Sequence, residues 1–192
     1  EFTAEWKRQK IIESLSMAGI TEAEILPTLT STPRSRRRVE FIAAKRKKGV
    51  MIGFHLRRSH QIFDVGDCPL LAPGLLGMRE VLAAFTAENM LARLSWRQGS
   101  NRPPEVVSAR LSADISLAGV DVTLPPGGFL QASEDGERTL AAFATEALVG
   151  ATHIVDLFAG VGSFTFPLAE AARVHAVEGD AELAGGLQAA AN

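Results

Sequence analysis

Two apolar runs near the carboxyl end of the chain lead into residues able to do chemistry. The run Ile154 to Leu157 leads into Phe158-Ala159-Gly160-Val161-Gly162-Ser163, and Val174-His175-Ala176-Val177 ends in Glu178. A glycine-rich turn after one strand, with an acid closing the next strand 22 residues after Asp156, is the layout of a nucleotide-type cofactor site. Dinucleotide folds want Gly-x-Gly-x-x-Gly so that backbone can approach a pyrophosphate. Here the third small residue is replaced by Thr165, and Asp156 precedes the turn, where an acid repels phosphate. A cationic ligand without phosphate fits better. S-adenosylmethionine, with an ammonium and a sulfonium, has that chemistry. Gly160 and Gly162 would let it lie against the backbone, Glu178 would accept from ribose hydroxyls, and Phe158 would line the pocket. The plainer alternative is a bare turn and a solvated strand end.

Elements that could position this turn follow from the hydrophobic pattern. Beyond Pro125-Pro126, Ser133 is a candidate N-cap, with Glu134, Asp135 and Glu137 in the first turn of a helix reaching about Leu148. Strand (153–157), helix (163–171), strand (174–178) and helix (181–191) come next. Alternation of strand and helix predicts a parallel α/β sheet. Before Pro125 the pattern differs. Helical spacing of Trp6, Ile11, Ile12 and Leu15 predicts a helix over 5–16. Thr28 to Arg34 reads as a linker. Strands are expected at 37–44, 50–55 and 61–65, a helix at 75–87, then strands at 91–96, 105–111 and 120–124, with a loop at 99–104. The expected fold class is α/β: the first half of a Rossmann-like domain preceded by a small, basic, β-rich α+β domain. The expected division is 1–30, a helix packing on the later domain; 31–124, basic; and 125–192, cofactor-binding.

The net charge of −2 over 192 residues conceals segregation. From Arg34 to Arg58 ten cations face the single acid Glu40, so this segment carries +9 and the remainder −11. Such asymmetry suggests a polyanion partner, although charge runs are also commonly solvated faces. Arg34, Arg36, Arg38, Lys45, Lys47, Arg57 and Arg58 are the candidates for RNA backbone contact. Strand alternation sets Arg36 and Arg38 on one face and Arg37 on the other. His55 and His60 are lesser candidates. One cysteine, Cys68, excludes an internal disulfide and fits a reducing cytoplasm. The polar Glu1 to Lys10 lacks a signal-peptide core, and no run approaches the ~20 apolar residues of a membrane span. No His/Cys/Asp set has zinc spacing, and no Ser-His-Asp arrangement is visible.

The wording of the motifs goes further. Asp156 to Ala169 closely resembles the adenosylmethionine motif of the RNA uracil-5-methyltransferases, which make 5-methyluridine in tRNA or 23S rRNA. Phe129-Leu130-Gln131-Ala132-Ser133 resembles that family's Phe-x-Gln-x-Asn signature, with Ser133 in place of Asn. Arg36-Arg37-Arg38, Gly49 to Phe54, Ser59 to Asp64 and Asp67-Cys68-Pro69-Leu70 resemble its central domain. The resemblance implies cofactor contacts from Gln131, Phe158, Ser163 and Glu178. It implies that Cys68 is the last of four ligands to a [4Fe–4S] cluster in the full-length parent, the other three lying upstream of Glu1. It favours 23S rRNA over tRNA, and a cytoplasmic monomer with no membrane or DNA partner. Compared with the family, the stretch between Cys68 and Phe129 is short, around Ala87 to Leu91.

The implied mechanism is covalent. A cysteine thiolate adds to C6 of a flipped-out uracil, C5 attacks the donor methyl, a base removes the C5 proton and the cysteine leaves. The family's nucleophile, substrate loop and base are expected beyond Asn192, so no catalytic residue is assigned. The competing readings are a non-catalytic RNA-binding module, a tRNA rather than rRNA enzyme, and a nicotinamide-dependent oxidoreductase, against which Thr165 argues.

Overall fold

The structure is a computed structural model that describes residues 2–89, 91–97, 113–125 and 127–192. It has two units, Glu1–Thr32 and Pro33–Asn192. In the first, helix α1 (Phe2–Met17) ends at Gly19, whose φ of 79° lets Ile20 N–H reach back to the Leu15 carbonyl at 2.9 Å. The segment after it is tied back to α1 by polar contacts. Arg8 donates to the Ile25 carbonyl through Nε and Nη2, and Thr28 Oγ1 donates to the Ala4 carbonyl.

The second unit holds two cores. The first is built on an antiparallel sheet in which β1 (Arg38–Arg46) pairs with β2 (Gly49–His55), and β2 pairs with β3 (Ile62–Asp64). Alternation along β1 sends Val39, Phe41 and Ala43 inward, where they meet Ile52, Leu71 and the α2 (Pro73–Asn89) residues Leu75, Met78 and Leu82. Strand β4 (Leu91–Arg97) completes the sheet beside β1, in the order β3-β2-β1-β4. Arg79 of α2 clips the β3 end, donating to the carbonyls of Ile52 and Val65 and pairing with Asp64. Gly53 is required where it stands, because a Cβ would fall on the Phe63 carbonyl.

The second core belongs to the cofactor half. Strands β5 (Ala113–Leu117) and β6 (Val120–Leu124) form a hairpin whose turn, Ala118-Gly119, has φ of 48° and 81°, both signs of a type I′ turn. Ile115, Leu117, Val122 and Leu124 pack with Leu130, Val161 and Phe166. Helix α3 (Glu134–Ala147) starts at Ser133, whose side chain accepts from Gly136 N–H. Strand β7 (His153–Leu157), the short helix α4 (Thr165–Ala169) and strand β8 (Arg173–Val177) then make a parallel βαβ unit, in register from His153 opposite Arg173 to Leu157 opposite Val177. Helix α5 (Ala181–Ala190), capped by Asp180, follows and supplies Leu183 and Leu187 to this core.

The pattern-based expectations hold for the existence of these elements, with two differences. Strand β5, whose Ala113-Asp114-Ile115-Ser116-Leu117 alternates apolar and polar, lies outside the expected strands and pairs with β6. Helix α4 begins at Thr165 rather than Ser163, because 158–164 is consumed by the glycine turn. The strand expected at 105–111 and the loop at 99–104 lie outside the described residues.

One buried contact joins the two cores. Residues 34–37 run between the Pro69–Ala72 segment and the Gln131–Ser133 segment. Arg36 N–H donates to the Leu70 carbonyl and Arg37 N–H to the Ala132 carbonyl. The Arg37 side chain then reaches Glu137 of α3, Nη2 to Oε2 2.8 Å, with the two side chains only 7% and 8% exposed. The contact is a charge pair rather than an aligned hydrogen bond, since Nη2 has no acceptor in line. Removing one partner strands a buried charge. Glu137→Ala should therefore cost about 3–5 kcal/mol in urea unfolding, whereas Met at both positions should be near neutral. Equal losses from the single and double variants would contradict this account.

Candidate functional site

The glycine turn is built by three left-handed residues at alternate positions. Phe158, Gly160 and Gly162 have φ of 60°, 60° and 103°. Such a conformation suits glycine and is strained at Phe158. Gly162 also admits no side chain, since a Cβ would press on the Phe166 ring. The result is a compact turn at the carboxyl ends of β7 and β8, with Ala159, Val161 and Gly162 buried and Phe158 90% exposed beside it.

Glu178 locks this turn. Its Oε2 accepts from Gly160 N–H at 2.7 Å and its Oε1 from Asp180 N–H at 2.9 Å. These backbone donors, Asp180 first and then Gly160, hold its carboxyl below the ordinary carboxylate range. Each carboxylate oxygen keeps a second lone pair for a further donor. An apolar concavity of 730 Å³ opens beside Glu178 between α4, β8 and α5, lined by Phe166, Val174, Ala176 and Leu187.

Asp156 is held from the other side. Thr165, the residue that breaks the dinucleotide pattern, is buried and donates its hydroxyl to Asp156 Oδ2 at 2.6 Å. So Thr165 fixes the carboxylate at the turn, a role that the sequence pattern registers only as a missing glycine. Ser163 spends its hydroxyl on Glu137 Oε2 at 3.2 Å. Gln131 accepts through its backbone carbonyl from Arg37 Nε at 3.4 Å. Thus Asp156, Gly160, Gly162, Ser163 and Glu178 form one cluster. Gln131 joins it through Arg37 and Glu137, two residues that the sequence offers only as a member of a basic run and a first-turn acid.

The basic candidates are differently disposed. Arg34 forms a bidentate pair with Asp67, both contacts 2.9 Å, which holds the Asp67 carboxyl below its ordinary range. Arg36 donates to the Arg38 carbonyl, and the Arg38 guanidinium lies 4.8 Å over the ring of Phe129, itself 61% exposed. Lys45 lies exposed near the end of β1, Lys47 is in the exposed β1–β2 turn, and Arg57 and Arg58 occupy the exposed β2–β3 turn. His55 and His60 meet edge to face across that turn.

Cys68 packs against the β1–β2–α2 core. It is the chain's single cysteine, and no metal-binding group occurs among the described residues. Four thiolates are needed for a [4Fe–4S] cluster, so the residues of this chain do not fit one by themselves. Among the described residues no helix is long and apolar enough to cross a membrane.

Comparison with known proteins supplies the context. No protein-family model matches the chain. It is 35% identical over 213 residues to a protein of Brucella melitensis named an uncharacterized RNA methyltransferase, covering 92% of this chain and 51% of that one. A Caulobacter vibrioides protein of the same description is 32% identical, with 96% and 55% covered. A 23S rRNA (uracil(1939)-C(5))-methyltransferase of Aeromonas salmonicida is 28% identical, with 91% and 51% covered. The chain thus spans about half the length of the curated relatives it matches. In fold it matches the Pyrococcus abyssi tRNA (uracil-54, C5)-methyltransferase, solved with S-adenosyl-L-homocysteine, at a TM-score of 0.72 and 18% identity, covering 98% of this chain and 59% of that one. The chain is thus similar in sequence to RNA methyltransferases over about half of their length, and it shares the fold of the Pyrococcus enzyme.

Proposed function

We propose that this chain carries the S-adenosylmethionine-binding part of an enzyme that forms 5-methyluridine in RNA, with 23S rRNA as the substrate. The observation that carries the reading is the Glu178 clamp on the turn of Phe158 to Ser163. An ionised acid at the end of β8, fixed by Gly160 and Asp180, is set to accept from ribose hydroxyls. Asp156, oriented by Thr165, would offer its free oxygen to the ligand's ammonium. Asp156, before the turn, repels a pyrophosphate, and Thr165 stands where a dinucleotide fold wants glycine, which together disfavour a nicotinamide cofactor. The choice of rRNA rests on the setting of Cys68 and on the Aeromonas relative.

The cofactor supplies the methyl group. This chain's residues would bind and orient it. The uracil must first be activated at C6 by a thiolate, since C5 alone is a poor nucleophile. Cys68 is unsuited to that task, being partly buried against the β1–β2–α2 core rather than at the turn. No thiolate of this chain is accordingly assigned that role.

Three outcomes follow. In calorimetry the chain should bind S-adenosylhomocysteine and not NAD, and Glu178→Ala should weaken binding by about fivefold or more. Unchanged affinity would return Glu178 to a purely structural role. Incubated with unmodified 23S rRNA and labelled adenosylmethionine, this chain alone should transfer no methyl; incorporation would refute the exclusion of Cys68. Finally, Glu178 is depressed from its ordinary value of 4.5, so its contribution is complete above that pH and is lost as pH falls through the lower folded value. Exposure keeps the effect small. Urea midpoints of the wild type should therefore approach those of Glu178→Gln on acidification; parallel curves would contradict the clamp.

A further inference from the structure

The basic segment from Arg34 to Arg58 folds into two separate cationic ends, not one patch. Strands β1 and β2 are antiparallel, in register from Ile42 opposite Gly53 to Arg46 opposite Gly49. The β1–β2 turn, with Arg46, Lys47 and Lys48, therefore lies at one end of the sheet. The amino end of β1, with Arg36 and Arg38, lies at the other, together with the carboxyl end of β2 and the Arg57-Arg58 turn. From Arg38 to Arg46 the strand runs about 26 Å at ~3.3 Å per residue.

The cations also differ in what they do. Arg34 and Arg37 are committed to Asp67 and Glu137, and Arg38 stacks on Phe129. By contrast Lys47, Lys48, Arg57 and Arg58 are exposed at turns, and no acid pairs with them among the described residues. Only the Arg57-Arg58 end adjoins the segment that leads into the cofactor half, through Arg36 with Ser133 and Arg38 with Phe129. The Lys47-Lys48 end does not.

We infer that these turns grip an RNA strand at two points with different tasks. The Arg57-Arg58 turn holds backbone beside the nucleotide presented to the cofactor half. The Lys47-Lys48 turn anchors backbone at the far end of the sheet, beyond reach of the site. At ~3.4 Å per phosphate of a stacked strand, ~26 Å corresponds to about eight phosphates. This rests on the RNA reading above and adds to it a length requirement and a division of labour.

The test uses this chain and fluorescent single-stranded RNAs of two lengths, about four and about sixteen nucleotides, chosen against that span. Anisotropy titrations at ~50 and ~200 mM salt give the salt slope for each. The long strand should show a slope larger than the short strand by about 1.4, for two further phosphates at ~0.7 each. Its affinity should then fall about sevenfold more over that salt range. Lys47→Ala with Lys48→Ala should reduce the long strand to the slope of the short one, and so should Arg57→Ala with Arg58→Ala. Equal slopes for the two lengths, or a long-strand slope that the lysine variant leaves unchanged, would overturn the two-point grip while keeping RNA binding. Absence of RNA binding at either length, with S-adenosylhomocysteine still bound, would overturn the RNA reading of this segment and the inference with it.

Discussion

The buried pair of Arg37 and Glu137 is the constraint on which the arrangement of the second unit depends. Placing two charges where both side chains are under a tenth exposed costs desolvation, and their attraction offsets it only where other groups share the load. Here the sharing groups are the site itself. Arg37 donates through its backbone to Ala132 and through Nε to Gln131, and Glu137 accepts from Ser163. A single ion pair thus sets the basic strand, the Phe129–Ser133 segment, the start of α3 and the glycine turn relative to one another. An apolar pair of equal volume could fill the space, but it would have no direction to impose on Gln131 or Ser163.

The glycine turn shows the same economy on a smaller scale. Left-handed backbone at 158, 160 and 162 frees the turn from the helix that follows, and the cost at Phe158 must be met by neighbouring contacts. Two carboxylates provide them from opposite sides, Glu178 through backbone N–H groups and Asp156 through the Thr165 hydroxyl. Preorganisation of this kind lets an incoming ligand find its acceptors already oriented. It also explains why the acids can serve structure and binding together: a carboxylate has more lone pairs than its backbone donors use.

Much of this was legible in the chain, and the remainder was hidden for identifiable reasons. Ser133 with its three acids announced α3, and the apolar runs before Gly160 and Glu178 announced β7 and β8, because caps and strand runs are local signals. Strand β5 alternates apolar and polar over Ala113 to Leu117, but its turn, Ala118-Gly119 rather than an asparagine-glycine pair, gives a weak hairpin signal beside it. Arg37 could not be singled out from Arg36 and Arg38 by type. Strand alternation separated it, but the acid that makes it structural sits 100 residues later. Thr165 read as a defect in a phosphate motif, whereas its hydroxyl is the partner of Asp156. Long-range pairings of this kind are invisible to periodicity.

Charge segregation acquires a physical purpose from this geometry. A net charge of −2 exerts little force on either a polyanion or a cation, yet the chain presents local fields of both signs. Asp156 and Glu178 flank the turn and Asp180 is bonded to Glu178, so the local field there is negative. The free cations stand at the ends of the β1–β2 sheet, where backbone phosphates are favoured. At physiological salt the screening length is ~8 Å, well short of the ~26 Å length of β1. The cations of the far turn therefore leave the acidic field at the glycine turn uncancelled. Separation along one strand thus lets a nearly neutral chain keep local fields of both signs.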